Sequence, residues 1–212
     1  MQSPPPHSTT RISLYPDQEI QVIVPAIIPT IQTERLYLRL IQLSDATDIF
    51  EYTKRQDVAN FLWPKVPHMD IQETEAWVQR RTFQTPDASG TLGRFFTFSI
   101  IQRDDPAQKV IGAVGVNSLV PAPSVGYGIH PDLWGKGYMS EAVAGVVDAW
   151  WKLERDSKCG QQEVDQSEEK LYAACNKANV GSVKVLLRNG FTIYEEIPLE
   201  GDTVALFSME RP

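Results

Sequence analysis

Read for the spacing of apolar and polar residues, the chain alternates between two periods. In TERLYLRL, opening at Thr33, Leu36, Leu38 and Leu40 alternate with Tyr37 and Arg39, the two-residue period of a strand with one buried face. Ser44 or Asp45 then stands where a helix cap belongs, and Ala46, Ile49, Phe50 and Thr53 fall on one face of the helix that follows. A second helical pattern runs from about Ile71 to Phe83. Arg94 to Ile101 and Lys109 to Val116 read as strands joined into a hairpin through Arg103-Asp104-Asp105-Pro106. Ser124 to His130 reads as another strand, bearing Gly126 and Gly128 and stopped by Pro131. The clearest helix follows, with Met139, Val143, Val146, Val147 and Trp150 at helical spacing. The pattern closes with a strand at Leu171 to Cys175, a helix at Asn179 to Arg188 ended by Asn189-Gly190, and strands at Phe191 to Glu195 and Val204 to Met209. Strands and helices are mixed, which predicts an α/β fold without internal repeats.

Two stretches carry neither period. Residues 1–32 hold Pro4, Pro5, Pro6, Pro16, Pro25 and Pro29 and predict an extended arm on the surface, with at most one short strand around Gln21 to Val24. Residues from about 154 to 170 are Ser, Gln, Gly and acidic residues with almost nothing to bury, which predicts an acidic polar loop or local insertion. The expected organisation is therefore the arm at 1–32 and one domain over 33–212.

Composition narrows the classes. A chain of 212 residues, 42% hydrophobic, can bury one sizeable core without disulfides, and no apolar run reaches the ~20 residues of a membrane span. Twenty Lys and Arg against 27 Asp and Glu give a net charge of -7, which argues against nucleic acid as a partner and favours cationic ligands, amines among them. Cys159 and Cys175 lack any paired spacing, so no metal site is indicated and both read as free thiols of a reducing compartment. MQSPPPHSTT does not have the form of a secretory signal, so a cytoplasmic location is expected.

The most informative segment is Ile129 to Ala142, a strand end that runs through a glycine-bearing turn into the long amphipathic helix. Unpaired N–H groups and the positive end of the dipole make a helix start a site for anions, and glycine lets a pyrophosphate approach the main chain. Gly135, Lys136, Gly137 and Tyr138 are placed to supply such donors. The nucleotide P-loop does not fit, because Gly137 rather than Ser or Thr follows Lys136; the dinucleotide fingerprint does not fit, because Ser140 stands where its third glycine belongs. The bland alternative is a glycine turn that merely starts a helix.

With these residues set beside Asn179, Ser182, Leu186, Arg188, Gly190 and Phe191, the chain resembles the GNAT superfamily of N-acetyltransferases, and in particular the branch that includes the ribosomal-protein alanine acetyltransferases. Trp134-Gly135-Lys136-Gly137-Tyr138-Met139 falls on the family's pyrophosphate signature, with Glu141-Ala142 following as the branch writes it, and Thr33-Glu34-Arg35-Leu36, Arg39 and Asp45 resemble its first strand and helix. The resemblance covers about 33–210. It implies a mixed, splayed sheet of six or seven strands flanked by helices, with the pantetheine of acetyl-CoA as cosubstrate in the opening between the Ser124 and Leu171 strands. It further implies cofactor contacts from Ile129, Trp134, Gly135, Lys136, Gly137, Tyr138, Met139, Asn179 and Ser182, and an acceptor that is a small-molecule or peptide amine, the protein being a monomer or homodimer.

The departures are equally specific. Many members carry a Glu where Ser124 stands, and others a Tyr where Leu186 stands; a hydroxyl is no base at neutral pH, though it orders water. Three side chains are candidates for catalysis: Ser124, Ser182 and His130, the last being the only histidine near the motif, with the plainer readings of cap or turn residue beside them. Glu141 reads either as a substrate contact or as an acid answering the helix dipole, and Phe61, Trp63 and Trp77 as acceptor-pocket or core residues. The function expected is acetyl transfer from acetyl-CoA to a primary amine; a CoA-binding module without catalysis and an interaction protein are the alternatives.

Overall fold

The computed structural model describes residues 13–156 and 169–212. Pro4, Pro5, Pro6, Cys159 and most of the polar stretch at 154–170 lie outside the described residues. One eight-stranded sheet organises the rest, in the order β1 (Ile31–Gln32), β2 (Leu36–Leu40), β3 (Phe96–Gln102), β4 (Val110–Ser118), β5 (Ser124–Ile129), β6 (Lys170–Asn176), β8 (Asp202–Glu210), β7 (Thr192–Leu199). Every neighbouring pair is antiparallel except β5 and β6. The expected mixed sheet is present, with one strand more than the six or seven expected, because the two-residue β1 lies within the stretch read as the arm.

Among the described residues, five α-helices flank the sheet. α4 (Tyr138–Trp151) and α5 (Val180–Arg188) pack on one face, where Trp150, Phe96, Phe98, Phe207 and Leu186 make the larger core. α1 (Ala46–Thr53) and α3 (Ile71–Gln79) cover the other, over Ile41, Ile49, Tyr52, Ile101 and Val110; α2 (Gln56–Ala59) was not anticipated. Strand β3 is buried on both faces, as a central strand between two helical layers must be. On α1 it is Tyr52, not Phe50, that joins Ala46, Ile49 and Thr53 on the buried face. Asp45 does not cap with its side chain; its carboxylate takes a bidentate bond from Arg39 (2.6 and 2.8 Å) and further bonds from the Ser99 hydroxyl and the Gln42 N–H. The helix at 71 stops at Gln79, short of Phe83, which packs in the larger core; Asp70 caps its start through the Glu73 N–H.

The stretch before β1 is not all on the surface. Val22 and Val24 are each 1% exposed and belong to the larger core, and Gln21–Val24 forms no strand but a single bridge, Val22 with Arg155. Arg155 is in turn paired with Glu169, both side chains almost wholly buried, and donates to the carbonyls of Trp150 and Leu153. The chain ends flanking 157–168 are thus held side by side.

Candidate active site

Only Ser124 with Tyr172 and Val125 with Ala173 pair β5 to β6; beyond them the two parallel strands separate. The His130 N–H bonds Ile111 of β4, and in an antiparallel pair successive residues point their main-chain groups to opposite sides, so those of Tyr127 and Ile129 point into the cleft that opens toward β6. The Ile129 carbonyl accepts the indole N–H of Trp134 at 3.0 Å, which leaves its N–H facing the cleft. Trp134 therefore folds back on the strand end, where Phe61 meets it edge to face with ring centroids 6.3 Å apart.

The cleft leads to the start of α4. Its first bond runs from the Glu141 N–H to the Gly137 carbonyl, so the N–H groups of Gly137, Tyr138, Met139 and Ser140 have no acceptor within the helix. Gly137 has φ 83°, the left-handed region where a side chain is strained, and Gly135 has φ 75° with open space where its Cβ would stand. An anion seated there meets main chain without obstruction. The side chains of this turn point elsewhere: Met139 is in the core, and the Tyr138 hydroxyl accepts from Gln102 at 2.9 Å.

A residue unmarked by the glycine motif organises the turn. The Arg35 guanidinium lies 4.5 Å over the Tyr138 ring, donates to the Lys136 carbonyl at 3.1 Å and comes within 3.4 Å of where a Gly137 Cβ would be. It is held by Glu141, whose carboxylate also accepts from the Thr33 hydroxyl and the Arg35 N–H. Burial alone would raise the Glu141 carboxyl, but the bonds from Thr33 and Arg35 outweigh it and hold the carboxyl below its ordinary range. Glu141 is thus a tie between β2 and the helix start. The signal for it was the pairing of Thr33-Glu34-Arg35 with Glu141, 106 residues apart in sequence for the arginine.

Across the cleft, Asn179 caps α5 by accepting the Ser182 N–H at 3.0 Å, and the Tyr127 hydroxyl reaches over from β5 to the Ser182 carbonyl at 3.2 Å. Burial pushes the Tyr127 hydroxyl well above its ordinary range, so it keeps its proton at neutral pH. Cys175 on β6 is likewise pushed up by burial, to about 11, and remains a thiol. Leu186 is 1% exposed and packs in the core.

The three catalytic candidates are not brought together. Ser124 and His130 share one face of β5 but lie at opposite ends, roughly 20 Å apart for six residues of strand. Ser124 sits at the closed end with its side chain beside Tyr15, whose ring lies 5.6 Å from that of Tyr172. The Nδ1 of His130 accepts the Asp132 N–H and its ring meets Tyr52 edge to face. Ser182 stands on the other face, on the α5 side. Between Ser124 and His130 the strand presents only Gly126 and Gly128 on this face, overlain by Asn117 and Tyr52. The loop after α2 borders this side: Lys65 pairs with Asp202 at the turn between β7 and β8, and Trp63 and Asn176 also interact with that carboxylate. Of the three aromatics, Phe61 and Trp63 take these rim positions, and Trp77 packs partly into the smaller core with Arg81 stacked on it.

Comparison with known proteins agrees with this architecture. A family model described as an acetyltransferase (GNAT) domain matches residues 35–192, about three quarters of the chain. A curated relative from Bacillus licheniformis, named uncharacterized N-acetyltransferase p20, is 30% identical over 122 residues, 56% of this chain and 64% of the relative, so the chain spans just under two thirds of that protein's length. Among solved structures, the ribosomal-protein-S5-alanine acetyltransferase of Vibrio fischeri superposes with a TM-score of 0.60 at 24% identity, over 87% of this chain and 97% of that one. A ribosomal L7/L12 alpha-N-protein acetyltransferase solved in complex with coenzyme A gives 0.62 at 18% identity, over 86% and 98%. At these identities the structural likeness is one of fold.

Proposed function

The chain belongs to the acetyltransferase (GNAT) domain family, and from that premise we propose that it transfers the acetyl group of acetyl-CoA to a primary amine. The observation that carries the reading is the meeting of two features: a cleft opened by the separation of β5 from β6, and an unobstructed helix start with left-handed glycines at its mouth. Acetyl-CoA supplies an activated acetyl thioester. In this reading the N–H groups of Gly135, Lys136, Gly137, Tyr138 and Met139 bind its pyrophosphate, with the α4 dipole adding to their attraction. Trp134 acts by occupying the Ile129 carbonyl, so that the Ile129 N–H is the group left for the acyl arm. The N–H groups of Tyr127 and Ile129 face the position where an oxyanion develops, and fixed donors of this kind lower the barrier without reorganising. Asn179 and Ser182 border the sulfur, and the Tyr127 hydroxyl, which donates to the Ser182 carbonyl, holds the start of α5 against β5 there.

On the acceptor side, the groove along Gly126 and Gly128, narrowed by Asn117 and Tyr52, admits the amine toward its Gly128 end and lets water take its proton. Positioning supplies much of the acceleration such a reaction needs. Ser124 and His130 are at the two ends of that groove, Ser124 positioned to order water and His130 to line the mouth.

The test is calorimetric titration of the full-length protein with acetyl-CoA, beside a Gly137→Glu variant. A carboxylate about 4 Å from the pyrophosphate would cost about 4 kcal/mol at the effective dielectric of a protein surface, a loss of more than 100-fold in affinity. Wild-type binding lost in the variant supports the assignment; equal binding by both removes the site from this turn. Binding without turnover of any amine would favour a CoA-binding module instead, a reading motivated by Ser124 and by the buried Leu186.

A further inference from the structure

On the acceptor side of β5 stands a guanidinium that the proposed reaction does not use. Arg81 follows α3 and lies partly buried, 4.4 Å over the ring of Trp77. Its Nε donates to the Trp77 carbonyl at 3.3 Å and its Nη1 to the Asn117 Oδ1 at 3.1 Å. Among the described residues no carboxylate pairs with it. Burying a guanidinium in part without a counter-charge is costly, and burial indeed holds Arg81 below its ordinary range.

The surroundings point the same way. Asn117 is exposed and lies where a side chain on Gly126 would have to stand, so glycine at 126 makes room for it against the strand. Tyr52 is 3% exposed, and among the described residues its hydroxyl has no hydrogen-bond partner. Its ring edge comes within 3.7 Å of the position of a Gly128 Cβ. A guanidinium without a carboxylate, an unpartnered buried hydroxyl and an exposed amide thus border the two glycines of the cleft strand.

We propose that Arg81, with Asn117, binds a carboxylate on the acceptor, so that the amine acetylated belongs to an amino acid. This rests on the acetyltransferase reading. Geometry sets the scale: Gly126 and Gly128 are roughly 7 Å apart along the strand and Asn117 fills the space over Gly126 itself, so an amine near the Ile129 end and a carboxylate at Arg81 suit a molecule whose two groups are separated by about four or more carbons. A carboxylate fits better than a phosphate, because one guanidinium fork matches its single charge and its two oxygens. The local charge also opposes the overall charge of -7, which by itself favours cationic acceptors.

The experiment is a thiol-release assay on the full-length protein, pairing amino acids with one to six carbons between amine and carboxyl with their carboxamides and including an amine that carries a phosphate. Wild type is expected to prefer acids over amides by roughly 10- to 100-fold in kcat/KM, the range of a charge-assisted bidentate contact. Arg81→Gln should collapse that ratio toward one and Arg81→Lys recover part of it. Should Arg81→Gln fail to fold, Asn117→Ala, at an exposed position, should lower the ratio as well. A wild-type ratio near one, a variant that slows both classes and keeps the ratio, or a phosphate-bearing amine as the best acceptor each overturns the proposal. Acetyl-CoA binding is titrated in parallel: its absence in the wild type defeats the acetyltransferase reading, whereas binding without preference for acids defeats only the carboxylate site.

Discussion

Replacing Glu141 by Ala cuts the tie between the first long strand and the start of α4. Three bonds are lost: Thr33 Oγ1 at 2.6 Å, the Arg35 N–H at 2.7 Å and Arg35 Nε at 2.7 Å. Hydrogen bonds to a charged acceptor contribute about 1.5–3 kcal/mol each, but the Arg35 side chain is 42% exposed, which limits that pair to about 0.2–1 kcal/mol. Thr33 and the Arg35 N–H can turn to water, which favours the lower end, and the first-turn dipole adds a few tenths. The expected loss is about 3 kcal/mol, roughly 6–12 °C in Tm for a chain of this size. Glu141→Gln, which keeps an acceptor oxygen, should lose about half as much. A double-mutant cycle with Arg35→Met should give a coupling below ~1 kcal/mol, because most of the effect runs through Thr33 and the main chain. Since Arg35 also holds the Lys136 carbonyl and the Tyr138 ring, acetyl-CoA affinity should fall about 3- to 10-fold, up to ~1.4 kcal/mol. Urea unfolding followed by tryptophan fluorescence measures the first quantity and calorimetry the second. A stability change under 1 kcal/mol would refute the assignment of Glu141 as a tie. Unchanged affinity in a destabilised variant would show that the tie does not reach the turn.

Two further outcomes follow from buried charges. Burial raises the Asp45 carboxyl, but bonds from Arg39, Ser99 and Gln42 outweigh it and leave it depressed. Its stabilisation is therefore complete above the ordinary carboxylate range near pH 4 and is lost as pH falls through the depressed value, at up to ~1.4 kcal/mol per pH unit; Asp45→Asn should flatten that part of the stability–pH curve, and an unchanged slope would count against it. Arg155→Met leaves the buried Glu169 carboxylate without the Nε–H that its two oxygens share, with Arg211 3.9 Å away, and should cost about 3–5 kcal/mol in urea unfolding, with Arg155→Met combined with Glu169→Met costing less than the single change; a single-variant loss under 1 kcal/mol would contradict the burial of the pair.

Periodicity and turn residues determined most of the elements. The alternation of Leu36 and Leu38, the apolar spacing from Met139 to Trp150 and the stop at Asn189-Gly190 are local signals, and each corresponds to an element close to its expected bounds. The glycine turn before α4 was legible for the same reason, since Gly135 and Gly137 are demanded by the backbone itself. What needed the tertiary structure were matters of which distant residues meet. Val22 and Val24 lie among prolines, and nothing local says that they enter the core; pairing with Arg155 decides it. Glu141 serves the helix dipole equally well from sequence, and only the fold brings Thr33 and Arg35 to its carboxylate. Ser124 and His130 look like neighbours in a short motif, yet an extended strand holds them at opposite ends of the groove. Arg81 carries no motif at all, because a charge at the end of a helix is ordinary until the other elements leave it without a carboxylate beside a strand of glycines.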